Sequence, residues 1–147
     1  MTARETPRPG KARYRHRVLV VDDYPDATQA MCMLFTQMGH SCRQATTGQH
    51  ALDEASAFQP DIVLLDIGLP DLSGYEVARA LRQQRGREIY IAALTGWGQP
   101  EDRARALGAG FDQHILKPAT AQILSEIIAA AERSRDELGI APPDAKH

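Results

Sequence analysis

Asp66 closes an apolar run, Asp61-Ile62-Val63-Leu64-Leu65-Asp66, the carboxylates Asp22 and Asp23 follow Val18-Leu19-Val20-Val21, and Lys117 follows the stretch from Phe111 to Leu116. Clustered carboxylates repel one another and raise the pKa of at least one member unless a cation compensates. A divalent ion does so, and Mg²⁺, which prefers oxygen ligands and shares phosphate, suits Asp22, Asp23 and Asp66; Mn²⁺ fits on the same ligand grounds. Asp66 can then attack phosphorus to form an acyl phosphate while Asp22 and Asp23 hold the metal. Lys117 can place positive charge on the phosphoryl oxygens, and Thr95, at the end of another apolar run, can donate a hydroxyl hydrogen bond to one of them. Each residue taken singly also has a structural use: a helix cap for Asp22 or Asp23, a turn brace for Asp66, a loop tie for Thr95, a solvated terminus for Lys117. Their joint placement at the ends of four apolar runs favours the chemical reading.

Those runs must be strands for the residues to meet. In an open parallel sheet the ligand crevice lies outside the carboxyl ends of the strands, so positions far apart in sequence converge there. Residues 17 to 21 read as a buried strand, followed by a helix from Pro25 with Ala27, Ala30, Met31, Leu34, Phe35 and Met38 on one face, closed by Gly39. Ser41 to Ala45 suits a short second strand, and Gly48 to Phe58 a helix; Pro60 resets the chain before the third strand, 61 to 66. Ser73 and Glu76 have capping-box spacing at the start of a helix through about Arg82. Ile89 to Leu94 reads as a fourth strand ending at Thr95, Glu101 to Leu107 as a short helix, and Phe111 to Leu116 as a fifth strand. The last helix runs from near Thr120 toward Glu137 and is stopped by Gly139 and Pro142-Pro143. Five strands alternating with five helices predict a doubly wound α/β domain with a parallel sheet covered on both faces.

Composition agrees with one such unit. The chain has 147 residues, 43% of them apolar, enough for one core and too few for two comfortable domains. No segment approaches eighteen consecutive apolar residues, so no membrane span is expected. The expected organisation is a basic leader over 1–15, a folded domain over 16–138 and a tail over 139–147. Arg4, Arg8, Lys11, Arg13, Arg15 and Arg17 against Glu5 give residues 1–17 a charge of +5, leaving −7 for the remainder of a chain whose net charge is −2. Such an arm, without a folded reader, is a salt-sensitive and nonspecific device, and no direct nucleic-acid function is expected. It lacks the apolar core of a secretory signal, so a cytoplasmic location is expected. Cys32 and Cys42 have neither metal-ligand nor redox-motif spacing and are read as free thiols; the five histidines are scattered.

The segments Val18-Leu19-Val20-Val21-Asp22-Asp23, Leu64-Leu65-Asp66-Ile67-Gly68-Leu69-Pro70-Asp71-Leu72-Ser73-Gly74, Ala93-Leu94-Thr95-Gly96 and Leu116-Lys117-Pro118 resemble the receiver domains of two-component response regulators, across roughly residues 16 to 135. The resemblance implies a flavodoxin-like fold with strand order 2-1-3-4-5. It makes Asp66 the phosphoacceptor, with Asp22, Asp23, Asp66 and the Gly68 carbonyl serving Mg²⁺. Thr95 and Lys117 would bind the phosphoryl group, and the peptide bond before Pro118 would be cis. The phosphodonor would be a histidine kinase or a histidine phosphotransfer protein. The domain would catalyse its own phosphorylation and hydrolysis without turning over an external substrate. Readout would pass through the face made by the fourth helix, fifth strand and fifth helix, toward an effector or a second copy.

One departure from the family concerns His114, which stands three residues before Lys117 where receivers usually carry Tyr or Phe; its plain alternative is a partly exposed strand residue without a switching role. Gly68 and Trp97 lie two residues beyond Asp66 and Thr95, where family side chains influence access of the hydrolytic water. Gly68 leaves space and Trp97 can cover it, or can serve as an exposed partner contact. Two further functions compete: a receiver-like binding module that accepts no phosphate, and a metal-dependent phosphatase with an aspartate nucleophile. The second needs a general acid and a substrate pocket that this length leaves little room for. A single-domain regulator, a relay intermediate and a receiver excised from a longer signalling protein would all read alike.

Overall fold

The computed structural model of the chain describes residues 14–96, 108–141 and 143. Strand and helix alternate through β1 (Arg17–Val21), α1 (Pro25–Gln37), β2 (Ser41–Ala45), α2 (Gly48–Phe58), β3 (Ile62–Asp66), α3 (Gly74–Arg85), a 3₁₀ turn (Gly86–Glu88), β4 (Tyr90–Thr95), β5 (Gln113–Leu116) and a C-terminal helix (Ala121–Leu138). All strand pairs are parallel, in the order β2-β1-β3-β4-β5. The helix expected over Glu101 to Leu107, and Trp97, lie outside the described residues.

Strand alternation divides the core into two layers. Leu19, Val21, Val63, Leu65, Ile91 and Ala93 face α2 and α3, whereas Val18, Val20, Ile62, Leu64, Ala92 and Leu94 face α1 and the C-terminal helix. Because β3 is buried at every position, its backbone must be paired on both edges, and it sits between β1 and β4. Asp66 therefore leaves the sheet from its central strand.

Helix ends follow the local sequence. Pro25 occupies the first turn of α1, and Gly39 just past its end takes φ +97°. Ser73 and Glu76 form the expected reciprocal capping box on α3. Strands β3 and β4 each begin one residue later than expected, at Ile62 and Tyr90, and two further boundaries differ by more. The helix α3 continues to Arg85 because Arg82 is held in place, donating to the carbonyls of Gly86, Ile89 and Gly110 and to Asp112. The fifth strand begins at Gln113, since Phe111 packs into the core and Asp112 accepts from the Ile91 amide at 2.8 Å.

The reading of Cys32 and Cys42 as free thiols is corrected: the two are joined by a disulfide, their Cα atoms 5.4 Å apart. Helix, turn and strand fold back on themselves over ten residues, and the pairing of Cys42 with Val18 turns its side chain toward α1. That proximity is tertiary, so spacing alone did not reveal it.

At the opposite end of the sheet from Asp66, the buried ring of His16 lies between two carboxylates. Nδ1 contacts Asp61 Oδ2, and Nε2 lies 2.7 Å from Glu132 Oε2, tying β1 to the start of β3 and to the C-terminal helix. Burial alone would lower the His16 pKa, but hydrogen bonds to and the charges of Asp61 and Glu132 outweigh it and raise it from 6.5 to about 9. Neighbouring His40, which accepts from the His16 amide at 3.0 Å, is pushed down to about 4 by burial and by His16. The two act on stability with opposite sign. Folding favours the His16 imidazolium, so its contribution is complete below pH 6.5 and is lost as pH rises through 9. Folding holds His40 neutral, so its contribution is complete above pH 6.5 and is lost as pH falls through 4. Urea unfolding followed against pH should show these two contributions together greatest near pH 6.5. His16→Ala should abolish the alkaline limb and cost about 3–5 kcal/mol, the usual penalty for breaking a buried ion pair; an unchanged alkaline limb would show that the ring does not hold its proton.

Candidate functional site

The expected residues meet at the carboxyl edge of the sheet. Asp66 is the last residue of β3, Thr95 the last of β4, Asp22 follows β1 and Lys117 follows β5. Oxygen atoms of Asp22, Asp23 and Asp66 lie within 4.8 Å of one another, Asp23 being exposed and the other two buried. Lys117 Nζ sits 2.9 Å from Asp22 Oδ2 and 3.3 Å from Asp66 Oδ2, bridging the carboxylates with a half-exposed ammonium group. Its placement depends on backbone pairing, because the Lys117 amide donates to the Thr95 carbonyl at 2.8 Å. The Lys117-Pro118 bond is cis, as the resemblance implied.

Electrostatics separate the roles. Burial raises the Asp66 pKa above the ordinary carboxylate value and the charge of Asp22 adds to the rise, while the Gly68 amide, donating to Oδ1 at 3.1 Å, and Lys117 oppose it. For Lys117, burial favours the neutral amine, but the close ion pair with Asp22 and the charge of Asp66 prevail and raise its pKa. The cluster thus carries three carboxylates against one ammonium.

The donor set fits a divalent cation. Asp22 Oδ2 is buried and close enough to Lys117 for an ion pair, yet lies outside the direction of a hydrogen bond, which leaves a lone pair for another positive partner. All the candidate protein donors are oxygens, the ligand type of Mg²⁺ and Mn²⁺ rather than of a thiolate-loving metal. Beside the acidic cluster runs a cleft of about 380 Å³ whose walls include Tyr24, Met31, Leu94 and Pro118.

Two glycines after Asp66 behave differently. A Cβ on Gly74 would stand 2.7 Å from the Asp66 carbonyl oxygen and 2.7 Å from Ile67 Cα, so the loop can return against β3 only with glycine there. A Cβ on Gly68 would meet nothing within 4 Å. Asp71, which sequence reasoning did not single out, accepts from the amides of Gly48 and Gln49 at 2.7 and 2.9 Å and so joins this loop to the start of α2. Those bonds depress its pKa. An acidic residue three positions before the start of α3 was visible in the sequence, but its use on a different helix was not. His114 is half-buried on β5, opposite Ala93 and therefore on the α3 side of the sheet.

The sequence over residues 18–129 matches the family described as "Response regulator receiver domain". The chain belongs to that family. Among its relatives, Transcriptional regulatory protein KdpE of Mycobacterium tuberculosis is 36% identical over 118 residues, covering 80% of this chain and 51% of KdpE. Sensor histidine kinase RcsC of Salmonella typhimurium is 33% identical over 119 residues, covering 80% of this chain but 12% of the kinase. The chain therefore spans about half the length of the first relative and a small part of the second. A receiver domain from Clostridium thermocellum superposes with a TM-score of 0.76 at 27% identity, covering 83% of this chain and 98% of that one. The CheY-like receiver from Methanospirillum hungatei JF-1 gives a TM-score of 0.77 at 25% identity, with coverages of 84% and 98%. The five-stranded order β2-β1-β3-β4-β5 is the receiver order. A receiver of this family is a phosphoaccepting domain of two-component signalling that acts on itself rather than on an external substrate.

Proposed function

We propose that Asp66 accepts a phosphoryl group from a phosphohistidine on a histidine kinase or a histidine phosphotransfer protein, with Mg²⁺ held by Asp22, Asp23, Asp66 and the Gly68 carbonyl. The observation that carries this reading is the convergence of Asp22, Asp23 and Asp66 around an ammonium that already touches two of them. An Asp66 oxygen forms the new O–P bond as the N–P bond to the donor imidazole breaks, and the imidazole leaves with its electron pair. When bound, the divalent ion supplies charge neutralisation for the transferring group. Lys117, freed from part of its bond to Asp66 as that carboxylate becomes an acyl phosphate, offers its charge to a phosphoryl oxygen, and the Thr95 hydroxyl offers a hydrogen bond. Relocation of these two groups, at the ends of β4 and β5, is the event that reaches a partner or a second copy of the chain. His114 on β5 and Trp97, two residues beyond Thr95, would modulate that readout and the lifetime of the phosphate. We assign the receiver unit to residues 16–138 and expect it to work in the cytoplasm.

Mg²⁺ at millimolar concentration should raise the melting temperature of the full chain by several degrees and lower the apparent pKa of Asp66. Asp22→Ala should remove both effects. Acetyl phosphate should add a labile phosphoryl group with Mg²⁺ present and none after chelation; an adduct that forms equally well in chelator would refute the metal-assisted reading.

A further inference from the structure

The Cys32–Cys42 pair lies on the outer side of the sheet, away from the acidic cluster. Cys32 is on the buried face of α1 and Cys42 on β2, the edge strand of the sheet. Both line one open surface groove of about 550 Å³, together with Gln29, Met33, Thr36 and Gln44. Cys42 is the more accessible of the two, half-buried where Cys32 is 7% exposed. The sulfurs stand 3.5 Å and 3.8 Å from the Arg43 carbonyl oxygen, an acceptor for a thiol S–H once the bond is opened. The two apolar layers are continuous elsewhere: Phe35 and Met31 hold α1 to the sheet, and Thr28 Oγ1 donates to Gln44 Oε1 at 2.9 Å across the same α1–β2 seam. The cross-link is thus reachable from solvent, accompanied by other contacts that keep α1 on the sheet, and provided with a polar partner in its open form. Exposed disulfides are the class most open to exchange with small thiols.

We propose that Cys32 and Cys42 form a reversible thiol–disulfide exchange site whose co-reactants are low-molecular-weight thiols and their disulfides. In the oxidising direction the Cys42 thiolate attacks one sulfur of a small disulfide RS–SR, forming a Cys42–SR bond and expelling RS⁻. The Cys32 thiolate then attacks Cys42 Sγ, forming the protein disulfide and expelling the second RS⁻. Both cysteine protons pass to solvent or to the departing thiolates, the two protein sulfurs are oxidised, and the small disulfide is reduced to two thiols. Cys42 acts first because the groove opens onto it, and Cys32 resolves because burial keeps a bulky reagent away. The state of the pair sets how firmly α1 is tied to the sheet edge, and the first two turns of α1 border the cleft beside Asp22 and Asp23. The proposal concerns thiol chemistry alone and does not depend on phosphorylation of Asp66.

The test is intact-protein mass and thermal melting of the folded full chain, incubated with excess reduced glutathione and, separately, with glutathione disulfide. Reduced glutathione should add about 2 Da to the mass, and glutathione disulfide should return it, both without denaturant. The oxidised form should melt about 10 °C above the reduced form, the size expected for closing a loop of roughly ten residues. Cys32→Ser should trap a stable glutathione adduct on Cys42, whereas Cys42→Ser should form that adduct at least tenfold more slowly on Cys32. A disulfide that yields to reduced glutathione only after the chain is unfolded would overturn the proposal, as would thiols that never pair. Both of these readouts use the parent chain and need no variant to fold.

Discussion

Lys117→Ala is expected to slow phosphorylation of Asp66 by about 10²- to 10³-fold, the usual cost of deleting one preorganised group that faces developing negative charge. In the resting chain the Lys117 ammonium lies 2.9 Å from Asp22 and 3.3 Å from Asp66 and is the cation shown between them. Its loss has two consequences that can be separated. The transferring phosphoryl group loses a positive partner, which lowers the rate at every pH. Asp66 also loses one of the two protein groups that restrain its upward-shifted pKa, leaving the Gly68 amide and, when bound, the divalent ion. The acid limb of the pH–rate profile, where Asp66 becomes protonated and ceases to be a nucleophile, should therefore move to higher pH in the variant. A single-turnover profile with acetyl phosphate in saturating Mg²⁺ measures both. A rate reduced by less than threefold, with an unmoved acid limb, would remove Lys117 from the site.

Gly74→Val should destabilise the fold by about 2–3 kcal/mol, the upper part of the usual range for overpacking. The atoms in the way are the Asp66 carbonyl oxygen and Ile67 Cα, each 2.7 Å from the position a Cβ would take. They are main-chain atoms at the end of β3, where Asp66 pairs with Leu94 and the Ile67 amide donates to the Leu94 carbonyl, so relief has to come from displacing α3 or the Asp66 loop. The variant should lose phosphorylation as well as stability even at temperatures where it remains folded, because displacing the loop displaces the nucleophile. Gly68→Ala provides the contrast. With nothing within 4 Å of its Cβ, it should leave the urea midpoint nearly unchanged, within about 0.5 kcal/mol in stability. Equal destabilisation by the two substitutions would contradict the packing described for this loop.

Much of the site was legible because chemistry and periodicity coincide at strand ends. The run Ile62 to Leu65 is apolar at every position, as in a strand buried on both faces, and Asp66 at its end is therefore marked twice. The same logic placed Asp22, Thr95 and Lys117, and the punctuation of Ser73, Gly74 and Glu76 placed the returning helix. What escaped was set by side chains meeting across the fold. Asp61 looked like the first residue of a strand, but its carboxylate is held by His16 and by the Arg17 amide, so the strand starts one residue later. The raised pKa of His16 comes from Asp61 and from Glu132, and Glu132 reaches the ring from far along the chain. Arg82 extends α3 by capturing carbonyls from two later segments, and no local pattern announces that. Cys32 and Cys42 were judged by spacing, whereas what joins them is the packing of α1 on the edge strand.

The central claim is that Asp66 is the phosphoacceptor, and the most direct measurement is intact-protein mass after incubation with acetyl phosphate and Mg²⁺, for the parent chain and for Asp66→Asn. The parent should gain about 80 Da, one phosphoryl group, in a form that alkali or hydroxylamine removes as it does any acyl phosphate, and the variant should gain nothing. A folded, Mg²⁺-binding parent that gains no mass, with acetyl phosphate or with a phosphorylated histidine donor, or a variant that gains the same labile group, would contradict the assignment.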